Sequence, residues 1–264
     1  MEYKIGELSE ITHLSKEMIR YYEKLGAVRP KRRDDNNYRV YTTMDLFALL
    51  ESIQLKAFDM NIREISEVKG KDYTDTILEY FRDYRDRLER ELVMKQALLD
   101  RTRELIVRNE ESRYNLGNYW IRMAPAICRY TFLNSRNDEY FDVVSSDKVN
   151  EIVFSEEGIR FTDDIIIFGE DCDTWCFAVR SDYVPLLELP EAGKVQVGQQ
   201  LCFCTVVDMG EIGAFSHECL AGLIQQAGER GYRQAGPVYG VLCGRGVEQE
   251  TFRRYLELRM PIER

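Results

Sequence analysis

The stretch from residue 73 to residue 112 constrains the fold more than any other part of the chain, because it contains neither proline nor glycine. These residues are the usual breakers of a helix, so their absence over so long a stretch predicts one continuous helix. At about 1.5 Å per residue this helix is roughly 60 Å long, far more than a small domain needs. The sequence therefore predicts a compact unit on either side of a long helical connector.

Apolar residues recur along this connector near the spacing of a coiled coil. The predicted seam consists of Phe81, Leu88, Leu92, Leu99 and Ile106. Arg85, Lys95 and Thr102 interrupt it. A solitary polar helix is the alternative, but its apolar stripe would stay in contact with water. We therefore predict that two copies of the chain pair through antiparallel helices.

The N-terminal residues carry the pattern of two short helices joined by a tight turn. Two sets of apolar residues recur at helical spacing: Ile5, Leu8 and Ile11, then Ile19, Tyr22 and Leu25. Ser15 stands where the N-cap of the second helix is expected. Further helices over residues 43–58 and 62–68 would complete the core. This arrangement is a helix-turn-helix.

The charge and polarity of this region favour contact with DNA. Between Ser15 and Tyr41, eight Lys and Arg residues stand against four Asp and Glu residues. The N-terminal end of the second helix would meet base edges, while later donors would hold phosphate oxygens. Residues 31–33 fit either a solvated loop or, together with residues 37–41, a two-stranded wing. The predicted DNA contacts are Ser15, Lys16, Met18, Arg20, Tyr21, Tyr22, Tyr38, Arg39, Tyr41 and Lys56.

Three motifs in this region resemble the winged DNA-binding head of the MerR family of transcription regulators in order and spacing. They are Ile5-Gly6-Glu7-Leu8, Arg20-Tyr21-Tyr22 and Asn37-Tyr38-Arg39-x-Tyr41. His13 and Asn37 stand where the family usually has Gly, and Asn tolerates a left-handed backbone better than most residues. The resemblance implies a dimer that binds promoters with an overlong spacer and, with an effector, twists and kinks the DNA for RNA polymerase.

The formal net charge of −10 is unevenly distributed. Residues 1–75 carry 13 basic and 14 acidic groups, whereas residues 120–264 carry 14 and 23. This division predicts an acidic C-terminal domain with a partner other than DNA. No segment approaches the roughly 20 apolar residues of a membrane span, and the polar N-terminus lacks the apolar stretch of a signal peptide. We expect a cytoplasmic protein with no membrane partner.

All seven cysteines follow residue 127. Cys172-x-x-x-Cys176 and Cys202-x-Cys204 could in principle bind a metal. The first pair has no nearby His and the second lies in a strand-like run, so buried free thiols fit these spacings better. We predict neither a metal site nor a cofactor.

The C-terminal part predicts two runs of strand, helix, strand and strand. The strands are expected at 127–132, 165–169, 175–179, 201–207, 238–243 and 254–259, and the helices at about 146–154 and 214–230. They pack most simply as one antiparallel sheet with both helices on one side and a central groove. The segments Gly236-Pro237-Val238-Tyr239 and Tyr255-Leu256-Glu257-Leu258-Arg259 resemble the GyrI-like effector-binding domain of multidrug-sensing MerR proteins.

Aromatic residues beside a surplus of carboxylates favour a lipophilic ligand, and a cation in particular. Strand alternation places Tyr255, Glu257 and Arg259 on one face, and Glu257 is the sharpest candidate. Alternatively this face is exposed, or Glu257 merely pairs with Arg259 or Arg254. The predicted ligand-binding residues are Glu257, Tyr255, Tyr239, Trp175, Tyr130 and Tyr183.

The sequence therefore predicts a multi-domain α+β protein. A winged helix-turn-helix (1–72) is followed by a dimerisation helix (73–117) and a duplicated β-α-β-β effector domain (120–264). Its expected partners are promoter DNA, RNA polymerase, a small effector and a second copy of the chain. We predict that it is not an enzyme. A hydrolase that uses Glu257 with Tyr130 or Tyr239, and a purely architectural DNA binder, are the alternatives.

Overall fold

The chain forms two compact units, Met1–Leu92 and Val93–Arg264. The computed structural model describes residues 1–33, 37–68, 73–248 and 250–263, with the Arg113 side chain left out. The predicted domain limits remain a prediction, and the first of them, residue 72, lies outside the described residues.

The N-terminal unit is mainly helical. Its elements are β1 (Glu2–Tyr3), α1 (Ile5–Thr12), α2 (Lys16–Lys24), β2 (Lys31–Arg32), β3 (Arg39–Thr42), α3 (Thr43–Ala57), α4 (Ile62–Val68) and the beginning of α5 (Tyr73–Tyr114). Leu8, Ile19 and Leu49 are fully buried in its core. Helix α2 begins where predicted, because the Ser15 Oγ accepts a hydrogen bond from the Met18 amide at 3.1 Å.

The predicted wing is present and gains a third strand. The strands lie in the order β1, β3, β2, and Arg32 pairs with Arg39. Asn37 has φ 55°, which confirms the left-handed backbone expected there, and His13 has φ 56° at the end of α1. The wing tip, residues 34–36, lies outside the described residues.

Helix α5 spans 42 residues, as the absence of proline and glycine predicted. Phe81 packs against Leu55 and Met60, so it belongs to the core of the N-terminal unit rather than to an open seam. The other seam residues, Leu88, Leu92, Leu99 and Ile106, are 45%, 68%, 46% and 54% exposed. No helix among the described residues is long and apolar enough to cross a membrane.

The C-terminal unit contains the rest of α5 and one large sheet. Its further elements are β4 (Tyr119–Ala124), β5 (Ile127–Arg136), β6 (Glu139–Phe141), α6 (Asp147–Val153), α7 (Gly158–Phe161), β7 (Thr162–Ile167), β8 (Asp173–Arg180), α8 (Val184–Leu187), β9 (Val195–Val197), β10 (Gln200–Asp208), α9 (Glu218–Glu229), β11 (Arg233–Gln234), β12 (Tyr239–Glu248) and β13 (Thr251–Glu263). The last helix begins at Glu218 rather than at Ala214, and strands β4, β6, β9 and β11 were not predicted.

The strands pair antiparallel in the order β4-β10-β13-β12-β7-β8-β5-β6, with β11 beside β13 and β9 beside β5. Trp175 and Phe177 are two residues apart on β8 and therefore lie on the same face of the sheet. Trp175 belongs to the apolar cluster that includes residues of α9, and Phe177 to the apolar cluster that includes residues of α6. Both helices therefore lie on one face of the sheet, as predicted. The opposite face carries Glu257 and Arg259 and contacts the C-terminal half of α5 through Arg101, Arg108 and Asp163.

Candidate DNA-binding surface and effector cavities

The N-terminal end of α2 is open to solvent. Ser15 and Lys16 are exposed, whereas Met18 is half-buried against the core. The Ser15 Oγ is engaged in capping the helix, and capping fixes the direction in which this end points. The geometry suits a helix end that enters a groove of DNA.

A concave surface of about 660 Å³ lies beside α2 and brings three predicted DNA contacts together. Arg20, Tyr38 and Arg39 line it, and the Tyr38 side chain is 72% exposed. The Arg39 Nε donates to both carboxylate oxygens of Glu23 at 2.9 and 3.0 Å. This hydrogen bond and the charge of Glu23 raise the pKa of Arg39, so its guanidinium is held in place on the wing and remains charged.

Two predicted DNA contacts are wrong because their side chains are buried. Tyr22 is 1% exposed and Tyr41 is 0% exposed, and both rings belong to the core. Burial, followed by the charge of Glu23, raises the pKa of Tyr41 to about 12. Tyr22 follows Ile19 by three residues on the apolar face, so the helical spacing already indicated the core. Of the remaining candidates, Tyr21 is 47% exposed and Lys56 is exposed in the last turn of α3.

In the C-terminal unit Glu257 is buried and ion-paired. The Arg122 Nη1 donates to both of its carboxylate oxygens at 3.0 Å, and the Arg259 Nε donates to Oε1 at 2.8 Å. Burial opposes the charged form, but the two arginines, Arg259 foremost, outweigh it and hold the pKa of Glu257 below its ordinary value. Of the alternatives open from sequence, pairing with Arg259 is therefore confirmed, and exposure is wrong.

The predicted aromatic residues do not share one pocket with Glu257. Tyr239 lies beside Arg259 and lines a cavity of about 190 Å³, while Tyr255 donates to Glu248 at 2.9 Å. Trp175 packs on the opposite face of the sheet and lines a cavity of about 280 Å³. Tyr130 and Tyr183 are buried in the cluster of α6, and the Tyr130 hydroxyl donates to the Pro190 carbonyl. The six predicted ligand-binding residues therefore do not lie in one groove.

A third cavity of about 470 Å³ was not predicted. Helix α5, strand β4, strand β8 and strand β13 contribute its arginines, which are Arg103, Arg108, Arg122, Arg180 and Arg259. The carboxylates that line it are Glu104 and Glu111. One signal in the sequence could have indicated it: Arg101, Glu104, Arg108 and Glu111 follow the spacing of a helix face that meets a core.

The folded N-terminal unit, with an exposed helix end and a cationic wing, defines a winged helix-turn-helix protein of the DNA-binding class. Residues 3–70 match the model of the family described as "MerR HTH family regulatory protein". The match identifies residues 3–70 as a MerR-type helix-turn-helix.

Two curated relatives illustrate the match. The mercuric resistance operon regulatory protein of Bacillus cereus is 28% identical over 109 residues, which cover 38% of this chain and 83% of the relative. The transcriptional regulator CueR of Escherichia coli is 36% identical over 64 residues, which cover 24% of this chain. The chain spans 47% of the length of CueR.

Solved structures show more distant likeness. An EcmrR–DNA complex determined by cryo-EM is 15% identical, with 99% of this chain and 100% of that chain covered, at a TM-score of 0.37. HiNmlR, a MerR family regulator lacking the sensor domain and bound to promoter DNA, is 22% identical, with 45% of this chain and 97% of that chain covered, at a TM-score of 0.31.

Proposed function

We propose that the protein is a homodimeric, ligand-responsive transcription regulator. It binds a palindromic promoter operator and, when an effector is bound, distorts the DNA so that RNA polymerase can start transcription. The observation that carries this proposal is the surface on which Arg20, Tyr38 and Arg39 converge beside the exposed end of α2. MerR regulators bind promoter DNA and distort it when an effector binds, and the match over residues 3–70 supports the same role here.

Holding distorted DNA requires several kcal/mol, which phosphate contacts from two DNA-binding units can supply. Dimerisation is supported by α5, where Leu88, Leu92, Leu99 and Ile106 leave an apolar stripe exposed. Burial of such a stripe against a second copy stabilises a dimer by roughly 25 cal/mol per Å² of apolar surface. A two-fold dimer requires an operator with matching symmetry.

The C-terminal unit would receive the signal as a GyrI-like effector domain. Its sheet, with two helices on one face and cavities of drug-like size on both, supports this role. An effector can change transcription only if its affinity differs between the two conformations of the protein–DNA complex. The effector that we expect is a small, partly lipophilic molecule.

The hydrolase alternative finds little support among the described residues. A general base must accept a proton near neutral pH, but two arginines stabilise the charged form of Glu257. Tyr130, one of its two proposed partners, lies in the cluster of α6 on the other face of the sheet. We therefore infer a regulator without catalytic activity.

Selection of bound duplexes from a random DNA pool tests the proposal. The full-length protein should enrich a two-fold symmetric sequence, and the Arg20→Ala variant should enrich it weakly or not at all. Enrichment of an asymmetric sequence, or of none by the unaltered protein, would contradict the proposed function.

A further inference from the structure

We propose that the arginine-lined cavity of the C-terminal unit binds an organic carboxylate, so that the effector is an anion rather than a cation. This inference rests on the proposed role of the C-terminal unit as the receiver of the signal, and it names the chemical class of that signal.

The charges around the cavity carry the inference. Five arginines and two glutamates line it, so guanidinium groups outnumber carboxylates on its wall. Glu104 and Glu111 pair with Arg108 and Arg122 from within the lining. Two further carboxylates, Glu257 and Asp163, hold these arginines from behind the wall. Glu257 holds Arg122 and Arg259, while Asp163 accepts from Arg108 at 2.6 Å.

These buried carboxylates keep the arginines charged and orient them. Arg259, only 7% exposed, donates from Nε to Glu257, which leaves its terminal nitrogens to the cavity and to the neighbouring Tyr239. A guanidinium presents its donors in a planar fork that matches the two oxygens of a carboxylate. Because Arg259 is already desolvated, a carboxylate that reaches it meets a strong donor at little further cost in lost hydration.

The shape and remaining lining suggest a molecule with an apolar body. Val107, Met123 and Pro125 contribute apolar surface, and about 470 Å³ accommodates a compact aromatic acid. The cavity lined by Trp175 is poorly suited to a lipophilic cation. Asp164 is the carboxylate in its lining, and Arg245 lies 3.8 Å from Asp164 and offsets its charge. Burial also raises the pKa of Asp164, which weakens it as a counter-charge.

Three probes of nearly equal shape separate the ligand classes: naphthoate, neutral naphthamide and naphthylmethylammonium. Calorimetric titration of the full-length protein without DNA measures each affinity. We expect naphthoate to bind at least about tenfold more tightly than the other two, as a charge-assisted hydrogen-bond pair predicts. Equal affinities, tighter binding of the ammonium probe, or no binding of naphthoate would overturn the proposal.

Two variants locate the site. Arg180→Gln removes a partly exposed wall residue and should weaken naphthoate binding several-fold, while Arg136→Gln, the same change outside the cavity, should leave it unaltered. Glu111→Gln removes a lining carboxylate that lies 3.2 Å from Arg122, so this substitution should strengthen naphthoate binding. Damage to the fold could not produce such a gain in affinity.

Unchanged naphthoate affinity in both Arg180→Gln and Glu111→Gln would show that the anion binds elsewhere and would refute the assignment. Because no DNA is present, these results are independent of operator binding. Loss of operator selection would count against the proposed function alone, and absence of naphthoate binding against the anion site alone.

Discussion

Replacement of Glu257 by Gln should destabilise the C-terminal unit without weakening the binding of cationic ligands. Glu257 is 2% exposed, and its carboxylate accepts from Arg259 and Arg122. Removing one partner of a buried ion pair typically costs about 3–5 kcal/mol, because the other charge is left unpaired. Arg122 is partly exposed and keeps Glu111, and Gln can still accept a hydrogen bond, so we expect a loss of roughly 2–4 kcal/mol.

Tryptophan fluorescence during urea unfolding measures this loss selectively, because both tryptophans of the chain, Trp120 and Trp175, belong to the C-terminal unit. The exposed Glu139→Gln provides a control with the same change of charge. A loss below about 0.5 kcal/mol, typical of a surface substitution, would refute the buried ion pair. A selective loss of affinity for naphthylmethylammonium would instead restore Glu257 as the counter-charge of a cation.

The same ion pair predicts a dependence on pH. Folding lowers the pKa of Glu257, so its contribution to stability is complete above the unfolded pKa and disappears as the pH falls through the folded pKa. The difference in unfolding free energy between the unaltered protein and Glu257→Gln should therefore shrink steadily below about pH 4. A difference that stays constant with pH would mean that the lost stability comes from packing rather than charge.

Further substitutions test the N-terminal unit and the dimer. Arg20→Ala should weaken binding to operator and random DNA alike and reduce the salt slope by about one ion, so an unchanged slope would exclude a phosphate contact. Met18→Ala should alter base preference with little effect on random DNA, as measured by selection from a random pool. Ser15→Ala should lower the unfolding free energy of the N-terminal unit by about 1 kcal/mol through loss of the N-cap, as measured by circular dichroism, and a change near zero would contradict the capping role. The double variant Leu92→Glu and Leu99→Glu should be monomeric, and sedimentation that shows an intact dimer would contradict the seam.

Local signals in the sequence were sufficient to predict most of the fold. The cap at Ser15, the left-handed Asn37 and the unbroken helix α5 each follow from the chemistry of a few neighbouring residues. The alternation of β13 placed Glu257 and Arg259 on one face and Leu258 on the other. Such features depend on backbone preference and short-range spacing, which the sequence displays directly.

The candidate effector site was harder to predict from the sequence, because it depends on contacts between residues that are far apart along the chain. Strand β4 gains its hydrogen bonds from β10, some 80 residues further on, so nothing near Arg122 indicated that it would meet Glu257. Arg108 meets Asp163, which lies 55 residues further along the chain, so its own neighbours in the sequence do not indicate this partner. Tyr239 on β12 and Trp175 on β8 are separated because their strands, which flank β7, carry them on opposite faces, a matter of register rather than composition.

A dimer that reads a two-fold symmetric operator through α2 and the wing should need both half-sites. Fluorescence anisotropy can compare the selected operator with duplexes in which one or both half-sites are scrambled, at a single fixed salt concentration. We predict that scrambling one half-site weakens binding by at least about a hundredfold and that scrambling the second leaves only salt-sensitive, non-specific binding. Equal affinity for the intact operator and the single half-site would contradict the account.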